Sequence, residues 1–271
     1  MAIGNTNIDV DIGVRAPWAI VSLGRMGGSL HILLLHGDAE ARLFADASAT
    51  LEAALPHRQV HVTSAWATRS DLLASGAPSA PRWMSARGLV PAADARELLD
   101  RPADLAVLSL LPDAAFPVLR CTEGGAFVPH RGVSACWAAK DADDVASRCI
   151  EGALLDADEA GRALEPVITR LRERGTEVAL CTVFRHVAFP RTDGSRTLRE
   201  RIRRINLEAA RLSHRTGCFV LDVDRVLAHE GGAALSADCF GGTGRAAELA
   251  LDELMSLLLE ALPEDAMPQE T

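Results

Sequence analysis

Five short apolar runs recur along the chain, and each has the length of one buried strand. The runs are continuously apolar instead of alternating, which is typical of parallel strands that are covered on both faces. We therefore expect them to form the strands of one parallel sheet. The five predicted strands are Ile32–Leu35, Val60–Ala65, Leu105–Leu111, Val178–Phe184 and Phe219–Val223.

Segments with apolar residues at helical spacing separate these runs. In the clearest of them, Asp156–Arg174, Gly175 supplies a C-cap, and Pro166 should either kink the helix or mark a second start. Alternating strands and helices predict a doubly wound α/β fold with helices on both faces of the sheet. The other predicted helices are Glu40–Leu55, Ala92–Leu99, Leu198–His214 and Gly244–Leu262.

Two stretches show no clear period. Ser75–Gly88 is rich in Pro, Ser and Gly and is predicted to be a surface loop, whereas Pro112–Asp144 is long enough to suggest a lid or a binding loop. Residues 1–28 resemble an extended arm, residues 29–262 form a single predicted α/β domain, and the acidic residues 263–271 are predicted to be disordered.

Composition narrows the functional classes. A net charge of -9 argues against a general nucleic-acid binder. No apolar run reaches the roughly 18–20 residues that span a bilayer, and no secretory signal is evident, so no membrane partner is expected. The cysteine spacings fit no zinc template, and no metal or cofactor is predicted. Cys181 and Cys218 lie in apolar runs and are predicted to be buried free thiols, which favours a reducing cytoplasm.

The first strand ends at a corner that carries an unusual residue. The run through Leu35 and His36 breaks at Gly37, and Asp38-Ala39-Glu40 then enters the first helix. Enzymes often place a nucleophile at such a corner, but the methyl group of Ala39 cannot attack a substrate. The pattern thus predicts a catalytic fold that has lost or moved its chemistry.

Over residues 29–262 the layout resembles the SGNH hydrolases, also called GDSL-type esterases. The family's Gly-Asp-Ser corresponds to Gly37-Asp38-Ala39, its glycine loop before Asp71-Leu72-Leu73 lacks the glycine, and its Gly-x-Asn-Asp retains only an aspartate, Asp113. The family's Asp-x-x-His becomes Asp238-Cys239-Phe240-Gly241, while Asn206 and the last strand match family habits. The resemblance implies a three-layer α/β sandwich with a five-stranded parallel flavodoxin-like sheet.

The same resemblance implies that the ordinary reaction is absent. In the family a serine attacks an acyl carbon, a histidine removes the serine proton, and an aspartate orients the imidazole. Here Ala39 stands at the nucleophile position and Gly241 at the base position. The chain is then expected to bind a small acyl-type or carrier-linked ligand in an accessory or redirected biosynthetic role. The alternative is an active esterase or acyltransferase that uses a relocated base, such as His36 or His229.

Three carboxylates are predicted to approach the cleft at the carboxyl end of the sheet. Asp38, Asp113 and Asp238 would raise one another's pKa or hold a metal there; the alternative is that Asp38 and Asp238 cap helices or brace loops. Asp38, Asp238 and His36 are the candidate catalytic residues, although a histidine on a strand is commonly a packed residue. The candidate ligand-binding residues are Ala39, Glu40, Thr68, Asp113, Gly241, Arg199 and Arg203.

An arginine-rich segment, Arg185–Arg215, forms a local positive patch on an acidic chain. Arg199 and Arg203 share one helix face. Such a patch suits an acyl-carrier protein or a CoA ester, because arginine binds phosphate groups with paired hydrogen bonds. The alternative is a solvated helix face with internal ion pairs.

Overall fold

The structure is a computed structural model that describes residues 29–36, 44, 47–75, 80–87, 89, 95–129, 138–184, 198–231 and 244–261. The predicted arm (residues 1–28) and the predicted tail (263–271) lie outside these residues, so both stay predictions. No helix in the described part of the chain is long and apolar enough to cross a membrane.

All five predicted strands are present, in one parallel sheet with the order β2-β1-β3-β7-β8. This order, in which the first strand of the chain lies inside the sheet, is the doubly wound flavodoxin-like arrangement. The strands are β1 (Ser29–His36), β2 (Gln59–Trp66), β3 (Leu105–Ser109), β7 (Glu177–Cys181) and β8 (Phe219–Leu221).

Three predicted strands end earlier than their apolar runs do, and β8 stops at Leu221 because Val223 begins the helix Val223–His229. β3 stops at Ser109, because the apolar residues that follow enter the helical turn Leu111–Ala115, which has Pro112 in its first turn. β7 stops at Cys181, because the N–H of Val183 is taken by the side chain of Asn206 instead of a neighbouring strand.

Helices cover both faces and bury two apolar layers, which confirms the three-layer α/β sandwich. One layer is covered by α2, α4, α5, α7 and α8, and the other by α1, α9 and α10. The helices are α1 (Ala47–Ala54), α2 (Ser70–Ser75), α3 (Arg82–Ala86), α4 (Ala95–Leu99), α5 (Leu111–Ala115), α6 (Ala139–Arg148), α7 (Ala157–Glu173), α8 (Leu198–Thr216), α9 (Val223–His229) and α10 (Gly244–Ala261).

The local signals for helix α7 are largely confirmed. The Asp156 side chain accepts from the N–H of Glu159, and the Glu159 carboxylate accepts from the N–H of Asp156, so a capping box starts the helix. Gly175 follows the helix end with φ 81°, as its predicted capping role requires. The helix continues without a break through Pro166, so the predicted second start is wrong. Pro166 lies on the exposed side, where water can reach the carbonyl group that its ring leaves unpaired.

The segment Pro112–Asp144, predicted to be irregular, contains regular structure in its described residues, and its role as a lid or a binding loop stays a prediction. A small antiparallel sheet has the order β5-β4-β6, with β4 at Leu119–Cys121, β5 at Ala126–Phe127 and β6 at Cys149–Glu151. Strands of two or three residues are too short to show a period, so no pattern in the sequence predicts them. Helix α3 likewise lies within the predicted surface loop Ser75–Gly88 and buries Met84 completely.

The small sheet also corrects the cysteine prediction. Cys121 and Cys149 lie opposite each other in the β4–β6 pairing and form a disulfide bond. Their separation of 28 residues has no diagnostic value in the sequence, so only the sheet register reveals the pair. Cys181 and Cys218 are buried free thiols, as predicted. With one disulfide present, the cysteines no longer favour a reducing compartment.

Candidate functional site

The carboxyl ends of the parallel strands meet at one edge of the main sheet, where ligands bind in open α/β folds. In the described residues this edge contains His36 at the end of β1, the turn 67–69 after β2, and Asp113 in α5 just after β3. Several predicted site residues lie outside the described residues, and their roles stay predictions. These are Asp38, Ala39, Glu40, Asp238 and Gly241.

Asp113 is a buried carboxyl group, only 1% exposed, that holds the start of helix α2. Its Oδ1 accepts hydrogen bonds from the backbone N–H of Ser70 at 2.9 Å and from the Ser70 hydroxyl at 2.7 Å. Burial raises the pKa of Asp113 to about 6, although the Ser70 donors and the Arg69 charge act to lower it. Asp113 therefore braces the turn after β2, a role that was not predicted for it from the sequence, and its ligand-binding role stays a prediction.

Arg69 is a buried cation that joins this turn to the loop before α7. Its Nε and Nη2 donate to both carboxylate oxygens of Asp71, at 2.8 and 2.6 Å, and its Nη1 donates to the carbonyl of Ala153 at 2.7 Å. Partial burial acts to raise the pKa of Asp71, but the hydrogen bonds and charge of Arg69 hold it below its ordinary value. Arg120 of β4 lies 4.0 Å from the same carboxylate. The Arg69–Asp71 ion pair thus links the turn after β2 with the loop before α7 and with β4 of the small sheet.

His36 occupies the last position of β1 and is 9% exposed. Its ring meets that of its register partner Trp66 edge to face, with centroids 5.0 Å apart and planes at 65°. The His36 carbonyl accepts the N–H of Ala67 at 2.9 Å, so the backbone pairing of β1 with β2 extends beyond Trp66. This position is that of a packed residue at the strand end, and a role as base stays a prediction.

Asn206 fixes the backbone just after β7. Its Oδ1 accepts the Val183 N–H at 2.9 Å, while its Nδ2 donates to the Val183 carbonyl at 2.8 Å and to Asp224 at 3.3 Å. The amide therefore replaces a strand neighbour at the point where β7 stops pairing. The resemblance singled out Asn206, and the structure gives it this bracing contact.

The buried hydroxyl groups at this edge form hydrogen bonds within the protein, mostly with backbone N–H groups. Besides the Ser70 hydroxyl, which donates to Asp113, the Ser109 Oγ accepts the N–H of Leu111 at 3.0 Å. Thr182 is 4% exposed, and its hydroxyl oxygen accepts the N–H of Asp224 at 3.0 Å. By contrast, Thr68 is half-buried, and its hydroxyl makes no hydrogen bond within the described ranges. The hydroxyl group of Thr68, one of the predicted ligand-binding residues at this edge, is therefore available to contact a ligand.

The arginines of helix α8 fall into three groups. Arg199 and Arg203 are exposed and form no ion pair within the part of the chain that the structure describes. Arg201 points inward and donates to the carbonyls of Ala114 and Leu155 at 3.1 and 2.7 Å. The others contact carboxylates, as the ion-pair alternative expected: Arg204 with Glu200, and Arg211 and Arg215 with Glu208.

Beside Arg203 a cavity of about 580 Å³ lies between α8 and the start of α7. Its walls combine arginines with apolar surface, including Leu155 and Leu207, and Leu207 is 51% exposed. Acidic groups, Asp156 and Asp158, also line it. Of the predicted arginine pair, Arg203 therefore lines a cavity of mixed character, whereas Arg199 is not among its lining residues.

Sequence reasoning missed the pairs Arg69–Asp71 and Ser70–Asp113. The signal was a cation and an anion flanking one serine at the end of a predicted strand, where side chains converge on the sheet edge. Within the described residues no cluster of three or more His, Cys, Asp or Glu side chains could hold a metal ion.

Comparison with known proteins gives fold-level likeness only. No protein-family description and no curated protein matches the chain. LAE5, an alpha/beta hydrolase enzyme from the metagenome of Lake Arreo, is 15% identical, with 86% of this chain and 96% of that chain covered and a TM-score of 0.50. Axe2, an acetylxylan esterase from Geobacillus stearothermophilus, is 13% identical, with 88% and 98% covered and a TM-score of 0.51. The chain thus has a hydrolase-like α/β fold of the SGNH type.

Proposed function

We propose that this protein is an SGNH-hydrolase-like protein without the usual Ser-His esterase site, and that it binds a small acyl-type ligand, free or carrier-linked. The observation that carries the proposal is the pair of replacements Ala39 and Gly241 at the nucleophile and base positions. Axe2 has been solved as catalytic mutants in which a serine, a histidine or an aspartate is replaced by alanine. In this chain the Gly37-Asp38-Ala39 block already has alanine as its third residue.

The buried hydroxyls at the strand ends support the same conclusion. A serine becomes a nucleophile when a base accepts its proton and the substrate can reach its oxygen. Ser70 is fully buried and donates to Asp113, while Ser109 is 5% exposed and accepts a backbone N–H. Neither side chain can meet a substrate without unfolding the turn that it holds.

The family's oxyanion donors are also replaced, since the second block has no glycine and the third has no asparagine. One such donor contributes about 3 kcal/mol to the stabilisation of the transition state. A protein that lacks the nucleophile, the base and these donors would keep the ligand cleft of the fold but could not carry out the family's esterase reaction.

Labelling with a fluorophosphonate tests the catalytic part of the proposal. The reagent forms a covalent adduct with an activated serine, so intact-mass analysis and peptide mapping report both occurrence and position. We expect no adduct on protein shown to be folded by circular dichroism, while an active serine esterase in the same tube is labelled. An adduct on one defined serine would contradict the proposal and favour the alternative, an active esterase or acyltransferase with relocated groups.

Titration with a CoA ester tests the ligand part. Arg199 and Arg203 would hold the phosphate groups, because their guanidinium groups are exposed and unpaired within the described residues. We expect the double variant Arg199→Gln, Arg203→Gln to bind at least about tenfold more weakly, a loss of about 1.4 kcal/mol. The matched control is Arg162→Gln with Arg170→Gln, two exposed arginines of α7. Equal affinity in both double variants would remove the arginine pair from the proposal.

A further inference from the structure

Two histidines lie side by side at the opposite end of the sheet from the candidate site. His31 of β1 and His61 of β2 are register partners on neighbouring parallel strands. Both side chains are exposed, and their rings lie with centroids 4.8 Å apart and planes at 26°. His31 and His61 are far apart in the sequence, so their spacing matches no metal-binding motif.

We propose that His31 and His61 form an open two-histidine site for a divalent transition-metal ion of the Ni²⁺, Cu²⁺ or Zn²⁺ class. Neutral imidazole nitrogen is the ligand type that these ions prefer. Water or an anion would complete the coordination, as in other sites that keep open positions. The site is independent of the proposed function.

The spacing of the two rings fits a shared ion. With a metal–nitrogen bond of about 2.0–2.1 Å, two imidazoles on one ion have centroids roughly 4.5 Å apart at a right angle and roughly 5.2 Å apart at the tetrahedral angle. The observed 4.8 Å lies between these values, but the rings are stacked with planes at 26°, so they must turn before both nitrogens point at one ion. Because both rings are exposed, rotation about their terminal side-chain bonds can aim the two nitrogens at one point without moving the strands.

The backbone beneath the pair is already fixed. The N–H of His31 donates to Oδ2 of Asp104 at 2.7 Å, and the carbonyl of His31 accepts the N–H of Asp104 at 2.8 Å. The flanking residues Leu30 and Ile32 are each 1% exposed, which prevents β1 from changing register. The two ligands therefore need little ordering to bind an ion, and preorganisation of this kind favours affinity.

The surroundings leave room for the remaining ligands. A cavity of about 480 Å³ adjoins His31 and is lined also by Thr63, Leu98 and Arg101. Arg101 is exposed and forms no ion pair within the described residues, so its charge can accompany an anion that binds to the metal. The Asp104 carboxylate next to the His31 backbone partly offsets the positive charge of the ion.

Calorimetric titration with Ni²⁺ and with Zn²⁺ alone tests the proposal on the full chain, with Tris and other chelating buffers left out. We expect one ion to bind, and His31→Gln and His61→Gln each to weaken the affinity at least about tenfold. His57→Gln is the matched control, since His57 is an exposed histidine in the turn before β2, and it should bind like the wild type.

Two outcomes would overturn the site. One is the absence of metal-dependent heat in folded wild-type protein, and the other is wild-type affinity in both His31→Gln and His61→Gln, which would place the ion elsewhere. Because both side chains are exposed, the variants should keep the unfolding midpoint of the wild type in the absence of metal. If a glutamine variant loses affinity and also has a lower unfolding midpoint, the loss could come from unfolding. His31→Asn and His61→Asn separate the two causes, because they should lose metal binding while staying folded.

Discussion

The substitution Asp113→Asn should make the protein more stable at neutral and alkaline pH but not in acid. Asparagine has the shape of the protonated carboxyl group, and its carbonyl oxygen can accept both Ser70 donors. Asp113 has a pKa of about 6 in the folded protein, raised by burial from an ordinary value of 3.8. The unfolded chain therefore loses this proton first as the pH rises, and folding becomes less favourable between about pH 4 and pH 6. A shift of about 2 pKa units corresponds to about 3 kcal/mol.

Reversible urea unfolding measured from pH 4 to pH 8 checks this prediction. The free energy of unfolding of Asp113→Asn minus that of the wild type should rise by about 2 kcal/mol across this range, since part of the full effect is already present at pH 4, and be level above pH 7. The control Asp143→Asn replaces an exposed carboxyl group of α6 and should give a difference that is constant with pH. A constant difference for Asp113→Asn as well would contradict this prediction, because it would mean that burial does not hold the proton on Asp113.

Three further substitutions test other contacts by urea unfolding. Gly161→Ala would place a Cβ 2.7 Å from Cδ of Glu208, which two arginines hold in place, so we expect a loss of about 1–3 kcal/mol; an unchanged stability would mean that Glu208 moves freely. Asp156→Ala removes the capping box of α7 and should cost about 1 kcal/mol, whereas no loss would show that the cap is dispensable. Asn206→Ala leaves the N–H and carbonyl of Val183 without their amide partner and should cost about 1–3 kcal/mol; a neutral effect would mean that water replaces the amide.

The main sheet could be predicted from the sequence because its inner strands are buried on both faces for most of their length. Burial of this kind produces a continuous apolar run, such as Ile32–Leu35, which stands out against the polar segments around it. Helix α7 was equally visible, since its capping box and its terminal Gly175 are local signals. These elements are specified within a few residues, and the chain order of alternating elements then restricts the topology.

The small sheet and the disulfide could not be predicted, because they depend on contacts between distant residues. β5 has two residues and leaves no period, and Cys121 pairs with Cys149 only through the register of β4 with β6. The bracing role of Asp113 was not predicted, because its partner Ser70 lies 43 residues away and no local pattern links them. Side-chain pairings at the site therefore remained beyond the sequence even where the strands that carry them were evident.

The order of the strands also has a consequence for synthesis on the ribosome. β3 lies at the centre of the sheet, and all five of its residues, Leu105–Ser109, are buried. One of its edges pairs with β1, which is made earlier, but the other must wait for β7, where Glu177 pairs with Leu105. About 70 residues separate β3 from β7. At a synthesis rate of roughly 5–20 residues per second, the nascent chain therefore exposes an apolar strand edge for roughly 4 to 14 seconds. An open edge of this kind recruits other strands, so a nascent-chain chaperone should engage this protein within that interval.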